Sequence, residues 1–244
     1  MKSILVFSHN YIAHNWYEIV NEQLELLVNS GLYHNANQIH YGCYAEDKFQ
    51  LYKFIDLVSK YDTSNKIKIH IHPINDGERQ TMILMQDVCK NYLDAYVLYY
   101  HTKGITSLQN HKDTQIEYSD VESWRICLEY FNIECWRDCV GDLTKHEGLD
   151  VCGALYVGES GNPWKHFYSG NFWWANSSHL NTLPDMKERD NRMGCELWVG
   201  SKPHKWVNYY NPPSEGKNIY QFYFDPKNYR KDLATQNPFR IFTT

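Results

Sequence analysis

The stretch KIKIHIHPINDGERQTMILMQDVCKNYLDAYVLYYHTKG (66–104) decides the fold. Its first seven residues set Ile67, Ile69 and Ile71 against Lys and His, the period of two expected of a strand with unlike faces. Gly77 breaks that pattern, and 78–92 reads as a helix. AYVLYY (95–100) is apolar throughout, as a strand covered on both faces should be. Strand, helix and strand in this order make a βα unit leading into the next, the signature of a parallel sheet.

The same alternation runs back toward the N-terminus. Ser3 to Phe7 reads as a first strand. The next helix, about Trp16 to Ser30, carries Ile19, Val20, Gln23, Leu24 and Leu27 at helical spacing until Gly31 stops it. Gln38 to Cys43 reads as a second strand, and 47–60 as a helix with Leu51, Phe54, Ile55 and Val58 on one side. Beyond residue 104 the pattern loosens. A helix or helix pair over 120–145 holds Trp124, Leu128, Phe131 and Ile133, and a fifth strand follows at Val151 to Val157. Then come the aromatic segment YSGNFWWANSSHL (168–180), a helix near 188–198 and a Tyr/Pro-rich tail. With no internal repeat and no low-complexity linker, residues 1–244 read as a single α/β domain. Its central sheet is mostly parallel and flanked by helices, Rossmann-like, with an elaborated C-terminal part.

Composition narrows the function classes. Of 244 residues, 43% are apolar and 22% charged, which excludes disorder and fibrous repeats. A net charge of −5 lacks the basic footprint of a nucleic-acid binder. The only early apolar run, Ile4 to Phe7, is too short for a signal peptide, and no run approaches a membrane span. Seven cysteines, an odd number without a CxxC pair, fit reduced thiols in a cytoplasmic protein. Cys135 and Cys139, four apart, read as small core residues rather than metal ligands. The unusual entry is aromatic, at 16% of the chain. Phe54, Tyr99 and Phe131 are expected in the core, and Tyr11, Trp173 and part of the tail on ligand-facing surfaces.

In an open parallel sheet, ligands bind beyond the C-terminal ends of the strands. Those positions here carry Ser8-His9-Asn10-Tyr11, Pro73-Ile74-Asn75-Asp76-Gly77-Glu78-Arg79 and His101-Thr102-Lys103-Gly104. Together they offer rings for a base, carboxylates and amides for a ribose, and a lysine for phosphates. Neither GxGxxG nor GxxxxGK[ST] occurs, which counts against dinucleotide redox chemistry and P-loop hydrolysis. GxSxG is absent as well.

YYHTKG (99–104), WR with EYFNIECW (124–136), SGNFWWA (169–175) and ELWVG (196–200), in that order, resemble GT-A glycosyltransferases. The likeness is to the bacterial and large-virus polysaccharide enzymes, including O-antigen galactofuranosyltransferase-like proteins. It implies a GT-A-like domain in which 1–104 binds a nucleotide sugar and 105–244 binds the acceptor. The donor would be a nucleotide-diphosphate sugar, uridine-linked, and the acceptor a glycan or lipid-linked glycan in polysaccharide biosynthesis. The likeness brings no membrane span and leaves room for peripheral membrane association. Where the wider family places Asp-x-Asp to hold a divalent ion such as Mn, this chain has His101-Thr102-Lys103. That departure implies a metal-free enzyme in which Lys103, with His101, stabilises the departing diphosphate. Inverting transfer needs a base, and Glu196 is the leading candidate, with Asp185, Glu188 and Asp190 as alternatives. His9, Tyr11, Asn75, Glu78 and Thr102 are assigned to the donor, and Gly170, Asn171 and Trp173 to the acceptor. Two readings from other classes compete. One is a metallohydrolase built on His70 and His72 with His101 and Asp76, and the other a non-catalytic carbohydrate-binding module.

Overall fold

A computed structural model of the chain describes residues 2–104, 118–159, 162–189, 192–212, 219–230 and 240–243. Residues 66–104 fold as their pattern requires. The first half runs β1 (Ser3–Ile12), α1 (Trp16–Asn29), α2 (Leu32–Asn35), β2 (Gln38–Ala45), α3 (Lys48–Tyr61), β3 (Ile67–Ile71), α4 (Arg79–Cys89) and β4 (Ala95–His101). The second half opens on α5 (Tyr118–Glu129), whose last turn widens into a π segment, Tyr130–Glu134, before α6 (Trp136–Lys145). It continues through β5 (Leu149–Gly153), β6 (Tyr156–Glu159), β7 (Asn162–Tyr168), β8 (Trp173–Asn176), α7 (Ser177–Leu180), α8 (Arg192–Glu196), β9 (Lys205–Asn208) and β10 (Arg240–Thr243).

Eight strands form one sheet in the order β10-β9-β5-β8-β4-β1-β2-β3, and β6 pairs with β7 apart from it. The pairs β1–β2, β1–β4, β2–β3 and β5–β9 are parallel, whereas β8 runs antiparallel to both β4 and β5, and β10 to β9. The chain is thus a mixed α/β fold with a predominantly parallel sheet between helical layers. Apolar residues cover both faces. Val6, Ile39, Leu98 and Tyr100 pack under α1, α3 and α5, while Phe7, Val97, Tyr99 and Trp173 pack under α4 and α7. Phe54, Tyr99 and Phe131 are buried as expected. Among the described residues no helix is long and apolar enough to cross a membrane.

The first strand is longer than its apolar run suggests. Ser8, His9, Asn10 and Tyr11, expected in a loop, continue β1 in register with both neighbours as far as His9↔His101, and with β2 as far as Ile12↔Ala45. A central strand has both backbone edges satisfied, which holds polar residues in extended form when their side chains also find partners. Here they do. Asn10 Nδ2 donates to the Gly42 carbonyl at 3.3 Å, and His9 Nδ1 lies 2.9 Å from Thr81 Oγ1.

Gly42, opposite His9 in that register, has to be glycine for packing. A Cβ there would fall against the Thr81 hydroxyl, 2.9 Å from Thr81 Cβ and 2.5 Å from His72 Nε2. We expect Gly42→Ala to lower unfolding free energy by about 2–3 kcal/mol, from overpacking and displacement of the Thr81 hydrogen bonds. Denaturant titration checks this, and a loss below about 0.5 kcal/mol would contradict it.

Candidate functional site

The antiparallel β8 is what gathers the site. Because it runs against β4, with Tyr99 opposite Trp173, its entry turn, Ser169-Gly170-Asn171-Phe172, arrives where β4 leaves the sheet. Gly170 has φ +93° and Asn171 φ +56°, so the turn is left-handed at two successive residues. His101 closes it on β4 by donating its Nε2 proton to the Gly170 carbonyl at 2.9 Å.

Glu78, the residue before α4, stands at the centre of this junction. Its Oε2 accepts from Asn171 Nδ2 at 2.7 Å and from the Tyr99 hydroxyl at 3.0 Å, and its Oε1 lies 3.8 Å from His101 Nε2. Burial alone would raise its pKa. The neighbouring His101 and the hydrogen bonds from Asn171 and Tyr99 outweigh that, and hold the carboxyl below its ordinary range. Asn171 passes the connection on, since its Oδ1 accepts from Trp173 Nε1 at 2.8 Å.

Beside Glu78 the Thr81 hydroxyl joins two rings, His9 Nδ1 at 2.9 Å and His72 Nε2 at 2.8 Å, donating to one and accepting from the other. Burial pushes His9 down to about 3 and His72 to about 4, so both are neutral at pH 7. Glu78 is therefore the anion of this cluster.

Lys103 follows on the other side of the Gly170 turn. Only 5% exposed, it lays Nζ 3.6 Å above the ring centroid of Trp124 on α5, with Tyr220 at 5.7 Å. The strand end beneath it is braced from below. Gln23 of α1 donates to the His101 carbonyl at 3.2 Å and to Glu129 at 2.8 Å, and Glu129 pairs with the buried Arg125 at 3.0 Å.

Around this buried centre lies a more open rim. Tyr11 and Tyr44 end β1 and β2 as a near-parallel ring pair, centroids 6.3 Å apart, and the Tyr11 amide donates to Thr102 Oγ1 at 3.1 Å. Asn75 is exposed, and Asp76 is paired with Arg79 at 2.7 Å. Glu196 ends α8, half-buried, and α8 packs on α4. That packing brings α8 to the helix that Glu78 precedes.

The expected assignments change accordingly. His101, Thr102, Lys103, His9, Glu78, Gly170 and Asn171 are brought together, but as one hydrogen-bonded floor. His9 and Glu78 are buried with their hydrogen bonds made to protein groups, so they form the floor of this edge and are not presented at its surface. Gly170, Asn171 and Trp173, assigned to the acceptor, are buried and form no exposed surface. Trp173 is 0% exposed and stacked on Tyr99, because β8 is covered on both faces and Phe172, Trp173 and Trp174 are all core. Of the alternative bases, Asp185 and Glu188 are exposed and Asp190 lies outside the described residues.

Thr81 and Trp124 are site residues that sequence reasoning did not assign, and His72 entered it only as a metal ligand paired with His70. The spacing of Thr81 three residues after Glu78, one helical turn into α4, was the available signal. His70 and His72 do not act as a pair, since His70 Nε2 lies 3.0 Å from His40 Nδ1 while His72 is held by Thr81. Among the described residues no group of three or more His, Cys, Asp or Glu is arranged to hold a metal ion. Cys135 and Cys139 are not disulfide-bonded, the first half-buried and the second buried.

The family described as domain of unknown function DUF8361 matches residues 5–219. No curated protein matches the chain. Among solved structures, the crystal structure of 4-diphosphocytidyl-2C-methyl-D-erythritol synthase aligns with 76% of this chain and 82% of its own at 9% identity, with a TM-score of 0.39.

Proposed function

The chain belongs to the DUF8361 family, and we propose that it is a GT-A-type glycosyltransferase. It moves a sugar from a uridine-diphosphate donor to a glycan acceptor in cytoplasmic polysaccharide biosynthesis, with inversion and without a metal. The observation that supports the reading is the placement of Lys103 and the Tyr11–Tyr44 rings at one sheet edge beside the Glu78 junction, with the helix that Glu196 ends packed on α4. In this assignment the tyrosine pair receives the base and Thr102 holds Tyr11 in place. The Lys103 ammonium offsets the charge that develops on the diphosphate as the anomeric bond breaks. Glu196 takes the proton of the acceptor hydroxyl as it attacks from the opposite face.

A thermal-shift panel of uridine, UDP and UDP-sugars, with and without chelator, tests the donor site. We expect stabilisation by UDP that survives chelation. Binding to none of them would reject the donor reading, and glycan binding alone would leave a carbohydrate-binding module. Glu196→Gln is expected to lower turnover at least about 100-fold while leaving UDP affinity within about twofold, as loss of a general base predicts. A fully active Gln variant would remove Glu196 from that role.

A further inference from the structure

We propose that the indole N–H of Trp124 and the ammonium of Lys103 form one oxyanion subsite that takes the diphosphate, an inference that rests on the donor reading above. Four tryptophans are almost completely buried, Trp124, Trp173, Trp174 and Trp198. Three of them donate their indole proton, Trp173 to Asn171 Oδ1, Trp174 to the Asn132 carbonyl and Trp198 to the Pro184 carbonyl. Trp124 Nε1 alone among these four has no hydrogen-bond partner among the described residues. A buried donor left unmade is costly, so an indole proton unmatched among the described residues is one that an incoming acceptor can satisfy.

The surroundings make that partner an anion. Lys103 Nζ sits 3.6 Å from the centroid of the same ring, on the electron-rich face, while the indole N–H projects from the electropositive edge. Cation and donor thus present the same sign to one neighbourhood. The Gly170 turn closes over both groups, since a Cβ on Gly170 would lie 3.3 Å from Trp124 Cζ2 and 3.4 Å from Lys103 Cε. Tyr220 and Phe224 pack the rest of the ring, at 4.9 Å and 6.3 Å between centroids, and fix its plane. A group with several acceptor oxygens can engage the ammonium and the N–H together, and a neutral sugar or a base cannot match both.

Calorimetric titration with inorganic pyrophosphate, UDP and uridine tests the subsite in the wild type, Trp124→Phe and Lys103→Met. Each variant is expected to weaken pyrophosphate and UDP at least about tenfold and to leave uridine unchanged, as loss of a charge-assisted hydrogen bond predicts. No pyrophosphate binding to the wild type, or unchanged UDP binding in both variants, overturns the subsite. Pyrophosphate binding lost in both variants without any affinity for UDP-sugars upholds the subsite and rejects the donor reading instead. Should Trp124→Phe fail to fold, the wild type still decides. Among its eight indole N–H resonances, one should move downfield on adding pyrophosphate, and Lys103→Met should abolish the shift. Eight unmoved resonances overturn the proposal.

Discussion

Between pH 6.5 and pH 4 the protein is expected to lose most of its stability. Burial holds His9 down to about 3, and His40, His72 and His204 to about 4, each from an ordinary value of 6.5. In this window the folded chain keeps these four rings neutral while the unfolded chain protonates them. Unfolding therefore takes up protons, and stability falls as pH falls, by up to about 1.4 kcal/mol per pH unit for each ring. The stabilisation is complete above pH 6.5 and exhausted near pH 4 to 3. Glu78 adds a later step of the same sign. Its folded value lies below the ordinary 4.5, so its contribution is present above that value and disappears as pH drops through the folded one. Denaturant unfolding measured at half-unit intervals of pH should show a steep decline beginning just below 6.5. A flat profile from pH 7 to 5 would mean that the buried rings are not neutral and hydrogen-bonded as described.

Gly170→Ala is expected to damage both fold and binding. At φ +93° an alanine is strained by about 1–3 kcal/mol, and its methyl would lie 2.6 Å from Leu128 Cδ1, for a further cost of about 1–3 kcal/mol. Neither relief is available locally, because His101 holds the Gly170 carbonyl and the side chain of Asn171 is committed to Glu78 and Trp173. The turn must shift away from Trp124 and Lys103. We expect a loss of about 2–6 kcal/mol in denaturant titration and UDP affinity reduced at least about tenfold at temperatures where the variant remains folded. Wild-type stability in this variant would show that the turn yields more easily than its contacts indicate.

Periodicity made most of the scaffold legible. The helices after β1, β2 and β3 begin and end within a few residues of their expected limits, because amphipathic spacing and glycine stops are local signals. The candidate site was legible only as a set of strand ends. Ser8, His9 and Asn10 look like a loop by composition, and their strand conformation depends on Gly42 and Thr81, far away in the sequence. Trp173 was expected at the surface because an aromatic strand beside a glycine turn suits a sugar. Only the position of β8 between β4 and β5 buries it. Trp124 stood out in the sequence only as a helix residue and as part of a motif, since an unmatched indole proton becomes visible only when its neighbours are placed.

The place of β8 also bears on how the chain is made. β4 is apolar along nearly its whole length, yet its second neighbour in the sheet, residues 173–176, leaves the ribosome more than seventy residues after it. Through that interval β1 to β4 can assemble on one side only, with the outer edge of β4 open to any extended chain it meets. At about 5–20 residues per second the exposure lasts several seconds. The order of synthesis therefore leaves that edge unpaired until Trp173 emerges.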